Sequence, residues 1–139
     1  MKARVKWIED VQFLGESGTQ HTIVMDGPEE RGGRGTGMRP MELLLLGLGG
    51  CTSFDVVAML KKSRQDIVDC VVEINGERSE SVPKIFTDIH VHFIITGRNI
   101  KESQVKRAIE LSSEKYCSAS LMLGKAAKMS HDYEIIDVA

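Results

Sequence analysis

The chain has 139 residues, of which 42% are hydrophobic and 27% are charged, and its formal net charge is -2 at pH 7. This length suits one folded domain, and the near balance of charges gives no argument for a basic nucleic-acid surface or a polybasic membrane patch. Aromatic residues make up only 5% of the chain, which argues against platforms that stack on single-stranded nucleic acid.

We expect no export signal in the N-terminal segment. Residues 1–7 alternate apolar and basic side chains, whereas a signal peptide needs an unbroken apolar stretch. The longest apolar run, residues 43–50, is far shorter than the ~20 residues that cross a bilayer. Three widely spaced cysteines do not form the disulfide framework of a small secreted protein. We therefore expect a cytoplasmic protein that does not associate with membranes.

The first part of the chain alternates in the manner of strands. Alternation predicts a strand in residues 1–7, a second extended run in 11–14, a turn at 15–18 and a strand at 21–26. Residues 27–37 contain five glycines and one proline, which predicts a flexible surface loop.

A long helix is predicted from Pro40 to about residue 63. Proline suits the first helical position, and Leu, Met, Ala, Glu and Lys favour the helix that follows. Its first half is apolar nearly all round, so we expect it to be buried. Gly47, Gly49 and Gly50 each weaken a helix by about 1 kcal/mol relative to Ala, which suggests close packing against another backbone.

The second half predicts more strands and two helices. Alternation indicates strands at 68–78 and 85–96, the second with one apolar face. Asn99 and Glu102 resemble a capping box, so a helix should run from there to about residue 115. A short helix at 118–125 and a strand at 129–135 complete the chain. This order predicts an α+β fold, with antiparallel sheets packed on a long buried central helix. The apolar face of the second strand holds Ile85, Ile89, Val91, Phe93 and Ile95.

Two cysteines lie where chemistry is plausible. Cys51 falls in the glycine-rich part of the long helix, where small neighbours leave room for a substrate atom. Cys117 falls where one helix ends and the next begins, and the positive end of a helix dipole favours a thiolate. The alternative for both is a buried structural cysteine. Cys70 shares an apolar strand face with Val68 and Val72, so we predict a core residue without a redox role.

Other candidates have simpler explanations. His90 and His92 share the polar face of a strand, and two imidazoles on one face can bind zinc, with Asp88 nearby. No third ligand follows from the spacing, and a solvated strand face is the alternative. Glu42 lies in the first turn of the long helix, where the helix dipole by itself favours an acid.

Three segments resemble the OsmC/Ohr family, the osmotically inducible and organic hydroperoxide resistance proteins. They are Pro-Met-Glu-Leu-Leu-Leu at 40–45, Gly-Gly-Cys at 49–51, and Glu-Lys-Tyr-Cys-Ser at 114–118. The resemblance covers nearly the whole chain and is greatest to the YhfA-like branch. Its specific feature is a Pro-x-Glu whose glutamate stands nine residues before a helical cysteine, with a second cysteine 66 residues later.

The resemblance implies one OsmC-like domain over residues 1–139 and an intertwined homodimer with two active sites at the subunit interface. Strands and the glycine-rich loop would occupy 1–38, and a core with both cysteines 39–139. Cys51 would be the peroxidatic and Cys117 the resolving cysteine, assisted by Glu42 and an arginine. An ungapped match gives that role to Arg31. Arg34, Arg39 and an unfilled role remain the alternatives.

The implied activity is reduction of organic hydroperoxides by an external dithiol, with no metal or organic cofactor and no nucleic acid. An arginine beside the sulfur favours the thiolate, and Leu44, Leu48, Phe54 and Met59 would supply an apolar surround. The alternative is a thiol-based redox or small-ligand binding protein with little turnover. A third alternative is a zinc protein that uses His90 and His92.

Glu42 poses a geometric problem for this assignment. Nine residues are about two and a half helical turns, so Glu42 and Cys51 would point to opposite sides, about 13 Å apart along the axis. Either a kink at the glycines brings Glu42 round, or it serves the cysteine of the partner chain. We favour the partner, because the glycines permit close approach of two helices.

Overall fold

The computed structural model describes residues 1–139, which form two compact units, Met1–Leu44 and Leu45–Ala139. Six β-strands and three α-helices are joined by loops, a 3₁₀ turn at Glu29–Arg31 and a π-helical turn at Ser112–Tyr116. In chain order they are β1 (Ala3–Glu9), β2 (Gln12–Ser17), β3 (Thr22–Met25), α1 (Pro40–Lys62), β4 (Asp66–Arg78), β5 (Phe86–Arg98), α2 (Glu102–Leu111), α3 (Ser118–Leu123) and β6 (Lys128–Asp137).

The first unit contains an antiparallel meander in the order β1-β2-β3. The turn predicted at residues 15–18 is wrong, because Gly15 lies inside β2 and pairs with Val5 on one side and Ile23 on the other. The turn follows β2, and Gln20 has a φ of 67° there. Val5 and Trp7 of β1 stay about 60% exposed in the single chain.

The sequence suggested that the glycine-rich loop at residues 27–37 is flexible. In the structure, one buried carboxylate organises this loop. Asp26 is 2% exposed and accepts hydrogen bonds from the backbone amides of Gly27, Arg34 and Thr36, at 2.7, 3.2 and 3.1 Å. The Thr36 hydroxyl donates a further bond at 2.6 Å. A Cβ on Gly33 would collide with the Gly27 carbonyl, so that position requires glycine. The Thr36 hydroxyl and amide lower the pKa of Asp26 from 3.8 to about 2.

Replacing Asp26 by asparagine should therefore destabilise the protein in a pH-dependent way. Because the folded-state pKa lies below the ordinary value of 3.8, the charged carboxylate stabilises the fold above that pH, and this contribution is lost as the pH falls through about 2. In thermal unfolding, the gap between wild type and Asp26→Asn should be constant near neutral pH and shrink from about pH 4 to pH 2. A gap independent of pH would contradict this role of the carboxylate.

The helix α1 is a single continuous element from Pro40 to Lys62, close to its predicted bounds. Its buried side packs on the sheet of the second unit, and a Cβ on Gly49 would lie 2.8 Å from the Ile74 Cδ1 atom. Gly47 and Gly50 face open space. Burial is confined to this side in the single chain, since Phe54 on the other side is 77% exposed. The buried residues are Leu48, Gly49, Thr52, Val56 and Leu60.

By length and composition alone, α1 is also apolar enough to cross a membrane. Core helices of soluble proteins meet the same two criteria. Here α1 is packed on a mixed sheet as part of an α+β fold, so this test by itself does not indicate a membrane protein.

The second unit is built on a three-stranded sheet in the order β4-β5-β6. The β4–β5 pair is antiparallel as predicted, but β5 and β6 are parallel. The connection is the reason. The segment with α2 and α3 crosses back to the end of the sheet where β5 begins, so β6 runs in the same direction as β5. The central strand β5 carries the core, with Ile89, Phe93 and Ile95 fully buried.

Two details of the strand faces differ from the alternation pattern. Ile85 was expected in the core but precedes β5 and is exposed, and Phe86 is buried in its place because the register shifts at Glu77–Arg78. A second shift between Ile67 and Asp69 leaves Val68 exposed. A β-bulge of this kind reverses which residues face the core.

The connection after β5 also departs from expectation at its start. The capping box at Asn99 is wrong: Asn99 has a φ of 51°, and α2 begins after Lys101 without a side-chain cap. At its other end, α2 gives way at Leu111 to the π-helical turn, which continues the helical path to Tyr116. Cys117 then follows in extended conformation and begins α3. Single π-helical turns are often found beside functional sites.

Candidate active site

Cys51 and Cys117 are neighbours in the folded chain. Cys51 is half-buried on α1, and Cys117 is fully buried at the start of α3. The two sulfurs are close enough that Cys51 contributes to the pKa of the Cys117 thiol. Both are free thiols in this structure. The fold therefore brings together two cysteines that are far apart in sequence and leaves the one on α1 the more accessible.

Cys117 caps the short helix that it precedes. The backbone amide of Ser120 donates to its sulfur at 3.4 Å, which is the arrangement of an N-cap. Burial raises the pKa of the Cys117 thiol, the Ser120 hydroxyl and amide oppose the rise, and the neighbouring Cys51 sulfur adds to it. The expected preference for a thiolate at this position is thus outweighed by burial, and Cys117 is held as a neutral thiol.

A buried chain of hydrogen bonds connects the elements that carry the two cysteines. The Ser112 hydroxyl donates to the Asp55 carboxylate at 3.1 Å and, since its proton is used there, accepts from the Thr52 hydroxyl at 2.8 Å. The Ser112 carbonyl accepts from the backbone amide of Cys117 at 2.8 Å. Thr52 follows Cys51 directly in sequence. Ser112 therefore fixes α1 against the turn that leads into Cys117.

The sequence offered little to single out these polar residues. Thr52, Asp55 and Ser112 belong to no recognisable motif, and Ser112 is sixty residues away from Thr52. The only signal was a pair of polar side chains about one turn apart, at 52 and 55, on a helix rich in apolar residues. Burying an unpaired polar group costs free energy. These three side chains are paired with one another only because α1 packs against the segment that contains Ser112.

The network predicts unequal effects of two conservative substitutions. Thr52→Val removes one hydrogen bond and leaves Ser112 bound to Asp55, so it should lower the free energy of unfolding by about 1 kcal/mol. Ser112→Ala leaves the buried Thr52 hydroxyl without a partner and should lower it by about 1–3 kcal/mol. Urea unfolding of both variants at one protein concentration checks the order. Equal losses would contradict the central position of Ser112.

Cys70 is kept apart from the other two cysteines. It lies in β4, half-buried and opposite Ile95 of β5. Burial, and secondly the charge of Asp69, raise the pKa of its thiol. Cys70 does not contribute to the pKa of Cys117, whereas Cys51 does. Its position agrees with the core role expected from the strand pattern.

Glu42 has an evident structural task in its own helix. Its carboxylate accepts a hydrogen bond from the backbone amide of Arg39 at 2.8 Å, and Arg39 immediately precedes the first helical residue. This is the glutamate half of a capping box. The helix dipole also favours an acid in the first turn, where Glu42 lies. Any role in catalysis would be additional to this capping.

The three candidate arginines differ in how far their guanidinium groups are occupied. Arg34 forms ion pairs with Glu9 at 3.1 Å and Asp10 at 3.2 Å. Arg39 donates to the backbone carbonyls of Asp26 and Gly37 at 3.5 and 3.3 Å. Arg31 ends the 3₁₀ turn, is exposed, and makes no side-chain hydrogen bond or ion pair in this chain. Arg31 is thus the arginine whose charge is not already used by its own chain.

The histidines of β5 form a cross-strand cluster with β6. Asp132 accepts hydrogen bonds from His90 Nε2 at 2.8 Å and from His92 Nδ1 at 2.7 Å. The Asp132 carboxylate raises the pKa of His92, and the histidines lower the pKa of Asp132, with His92 as the larger cause. No three His, Cys, Asp or Glu side chains are arranged to hold a metal ion. The His-x-His pair is explained by this strand pairing.

A cleft of about 520 Å³ lies between α1 and α2. Asp55 lines one end, one helical turn after Cys51, and Tyr116 lines it from the residue before Cys117. Of the side chains expected to surround Cys51, Met59 lines this cleft, Leu48 is in the core and Phe54 is exposed. The cleft therefore extends along both helices, and neither cysteine itself lines it.

Comparisons with known proteins agree with the fold. The sequence profile described as OsmC-like protein matches residues 33–132. The protein YhfA of Escherichia coli strain K12 is 51% identical over 136 residues, which are 98% of this chain and 98% of that protein.

Two solved structures support the fold. The crystal structure of an OsmC-like protein from Mycoplasma pneumoniae has a TM-score of 0.83 at 21% identity and covers 97% of this chain and 96% of that one. That of an organic hydroperoxide resistance protein OsmC from Legionella pneumophila has a TM-score of 0.69 at 14% identity and covers 99% and 98%. With a profile match over most of its length and a relative this similar, the chain belongs to the OsmC-like protein family.

Proposed function

We propose that this protein is a cytoplasmic thiol peroxidase that reduces organic hydroperoxides to alcohols, with Cys51 as the peroxidatic and Cys117 as the resolving cysteine. The observation that carries the proposal is the pairing of an accessible thiol with a buried one at the start of α3. Membership of the OsmC-like family supports it, and the structurally similar protein from Legionella pneumophila is an organic hydroperoxide resistance protein.

The chemistry proceeds in two thiol steps and a reset. The Cys51 thiolate attacks the terminal oxygen of the hydroperoxide, the O–O bond breaks, and the alkoxide leaves with a proton as the alcohol. Cys51 is now a sulfenic acid. The Cys117 sulfur attacks the Cys51 sulfur, and water leaves as the disulfide forms. An external dithiol then reduces the disulfide by two exchange steps and is itself oxidised. No metal or organic cofactor takes part.

The buried state of Cys117 suits its part in this sequence. Because burial keeps it protonated and away from solvent, peroxide reaches Cys51 first. Burial is the main cause of the raised pKa of Cys117, and the charge of the Cys51 thiolate is a smaller one that is lost when Cys51 becomes a neutral sulfenic acid. The difference in burial between the two thiols therefore supports this order of reaction.

The remaining roles in the proposal belong to a homodimer. Proteins of the OsmC/Ohr family are often dimers, and the exposed side of α1 and the exposed face of β1 supply apolar surface for a second copy. Arg31 favours the Cys51 thiolate through its unoccupied guanidinium, and Glu42 orients the arginine. Arg34 and Arg39 are less suited, because their own chain already binds their guanidinium groups.

A steady-state peroxidase assay tests the proposal. With a dithiol reductant present, cumene hydroperoxide should be consumed catalytically, with a kcat/KM above that for hydrogen peroxide, because an organic group against the apolar lining of the cleft gains about 0.8 kcal/mol per buried CH₂. A preference for hydrogen peroxide would count against the cleft as the substrate site. Absence of turnover with every hydroperoxide would reject the peroxidase.

If no hydroperoxide is turned over, the alternative is a binding protein of the same family with little turnover. The cleft favours this second candidate independently of the cysteines, because its volume of about 520 Å³ falls within the range of small-molecule sites. Binding of an unreactive ligand without consumption of any hydroperoxide would distinguish it.

A further inference from the structure

The two cysteines can form a disulfide only from a narrow range of relative positions. A disulfide holds its sulfurs about 2.05 Å apart and the two Cα atoms about 4.4–6.8 Å apart. Cys51 is placed by α1, a regular helix of 23 residues. Cys117 has no regular element of its own, because it stands in extended conformation between the π-helical turn at Ser112–Tyr116 and α3. The position of Cys117 therefore depends on the individual hydrogen bonds around it.

The first of these hydrogen bonds is made by the backbone of Ser112. The Cys117 amide donates to the Ser112 carbonyl at 2.8 Å, five residues earlier, which is the π-helical pattern. In an α-helix the same amide would donate to the carbonyl four residues earlier, at Ser113. One residue turns an α-helix by about 100°, so a turn that closed on Ser113 would present Cys117 at a different angle to α1. The π-helical turn thus sets the direction in which Cys117 approaches Cys51.

The side chain of the same serine binds the helix that carries Cys51. The Ser112 hydroxyl lies 2.8 Å from the Thr52 hydroxyl and 3.1 Å from the Asp55 carboxylate. Ser112 and Thr52 are 0% and 1% exposed, so water does not replace these bonds. The sulfur of Cys117 is bound by α3 and not by these two hydroxyls. The network therefore acts on the positions of the thiols and not on their charge.

Ser112 thus connects both segments that carry a reactive thiol. Its carbonyl holds Cys117, and its hydroxyl holds α1 beside Cys51. Loss of the hydroxyl leaves the carbonyl in place but releases the π-helical turn from α1. Both sulfurs remain, and what changes is how often they meet at bonding distance. That frequency is the effective concentration of one thiol at the other.

We propose that Ser112 is a positioning residue that sets the effective concentration of Cys117 at Cys51, and so decides how oxidised Cys51 reacts next. The kinetic part rests on the proposed peroxidase function, whereas the disulfide equilibrium of the pair does not. In the productive step the Cys117 sulfur bonds to the sulfenic sulfur, the S–O bond breaks, and hydroxide leaves with the thiol proton as water. In the competing step a second hydroperoxide transfers its terminal oxygen to the sulfenic sulfur, which gives a sulfinic acid and an alcohol.

The disulfide equilibrium tests the positioning by itself. In glutathione buffers, with Cys70→Ser in every chain so that only one pair can form, Ser112→Ala should lower the effective concentration at least about tenfold. A tenfold change corresponds to a rise of about 30 mV in the reduction potential of the pair. The matched control is Ile89→Val, which removes one methylene group from the fully buried strand β5 and leaves the network intact. The control should keep the wild-type potential.

A second pair of variants carries the same test from the other side of the network. Thr52→Val removes the hydroxyl that donates to Ser112, and Thr52→Ser keeps a hydroxyl at the same place. Thr52→Val should lower the effective concentration, and Thr52→Ser should retain it. Because the bond between Ser112 and Asp55 survives in Thr52→Val, its effect should be smaller than that of Ser112→Ala. This comparison decides the question even if Ser112→Ala does not fold.

Single-turnover kinetics test the consequence for the reaction. With one equivalent of cumene hydroperoxide, the Cys51 thiol should be lost at the same rate in wild type and Ser112→Ala, because this step does not involve Cys117. Formation of the disulfide, followed by thiol trapping in quenched samples, should be about tenfold slower in Ser112→Ala. With excess hydroperoxide, mass spectrometry should find about tenfold more sulfinic acid at Cys51 per turnover.

The possible outcomes separate the two proposals. An unchanged disulfide equilibrium in Ser112→Ala, an equal change in Ile89→Val, or equal values for Thr52→Val and Thr52→Ser would overturn the positioning role. Equal slowing of thiol loss and disulfide formation would overturn it as well, since general damage to the site affects both steps. If no hydroperoxide consumes the Cys51 thiol, the peroxidase is rejected, and the glutathione equilibrium still decides whether Ser112 positions the pair.

Discussion

Replacing Cys51 by serine should abolish turnover of organic hydroperoxides, with a loss on the order of a thousandfold or more in kcat/KM. Serine keeps the size of the side chain, but its hydroxyl is not ionised at neutral pH and is a poor nucleophile toward peroxide oxygen. The measurement is a peroxidase assay coupled to consumption of the dithiol. Cys70→Ser is the matched control and should keep turnover, since Cys70 lies in β4 away from the pair. Normal turnover in Cys51→Ser would overturn the mechanism.

Cys117→Ser should fail in a different manner. The first reaction needs only Cys51, so each site should reduce one hydroperoxide and then stop as a sulfenic or overoxidised cysteine. Rapid-mixing kinetics should show one equivalent of alcohol per chain, followed by no further turnover. Peptide mapping of oxidised wild type should find Cys51 joined to Cys117 within one chain and Cys70 free. A disulfide that contains Cys70 would reject the assignment of the pair.

Mixed dimers should show whether each active site is shared between two chains. We expect Glu42 to serve the partner's Cys51, because the two residues stand nine positions apart on one continuous helix. The variant of choice is Glu42→Gln. Glutamine retains the oxygen that accepts from the Arg39 amide, so the helix cap survives and only the charge is removed. Loss of a positioning charge should reduce kcat/KM by about a hundredfold in the homodimer.

Heterodimers of Cys51→Ser and Glu42→Gln chains should then recover about half of the wild-type activity per dimer, from the one site that combines the intact residue of each chain. Purified heterodimers without recovery would reject the shared site. Full activity of the Glu42→Gln homodimer, together with a less stable Glu42→Ala, would instead leave Glu42 with the capping role alone.

Much of this protein could be predicted from local sequence, because the features concerned depend on residues close together in the chain. The bounds of α1 follow from Pro40 at its start and from the helix formers after it. The alternation of β5 follows from a strand that is buried on one face. Cys117 at the start of α3 and Cys70 on the inner side of β4 were predicted on the same grounds. The family was predictable too, because the cysteine and glutamate segments are short and contiguous.

Other features depended on contacts that no local pattern records. The parallel pairing of β6 is set by where the path through α2 and α3 returns to the sheet. The bulges that expose Val68 and bury Phe86 arise from the pairing of β4 with β5. The expected cap at Asn99 failed because that residue takes a left-handed turn before α2 begins. Asp26 converts a glycine-rich stretch into an ordered loop through donors up to ten residues away.

The candidate site divides in the same way. The sequence by itself identified Cys51 and Cys117 as the candidate thiols, because residue types and spacing are properties of the covalent chain. The tertiary structure alone decided that the two cysteines are neighbours and that Ser112 joins their elements through Thr52. The physical reason is that burial and charge pairing act between residues distant in sequence, so their effects exist only after the helices have packed.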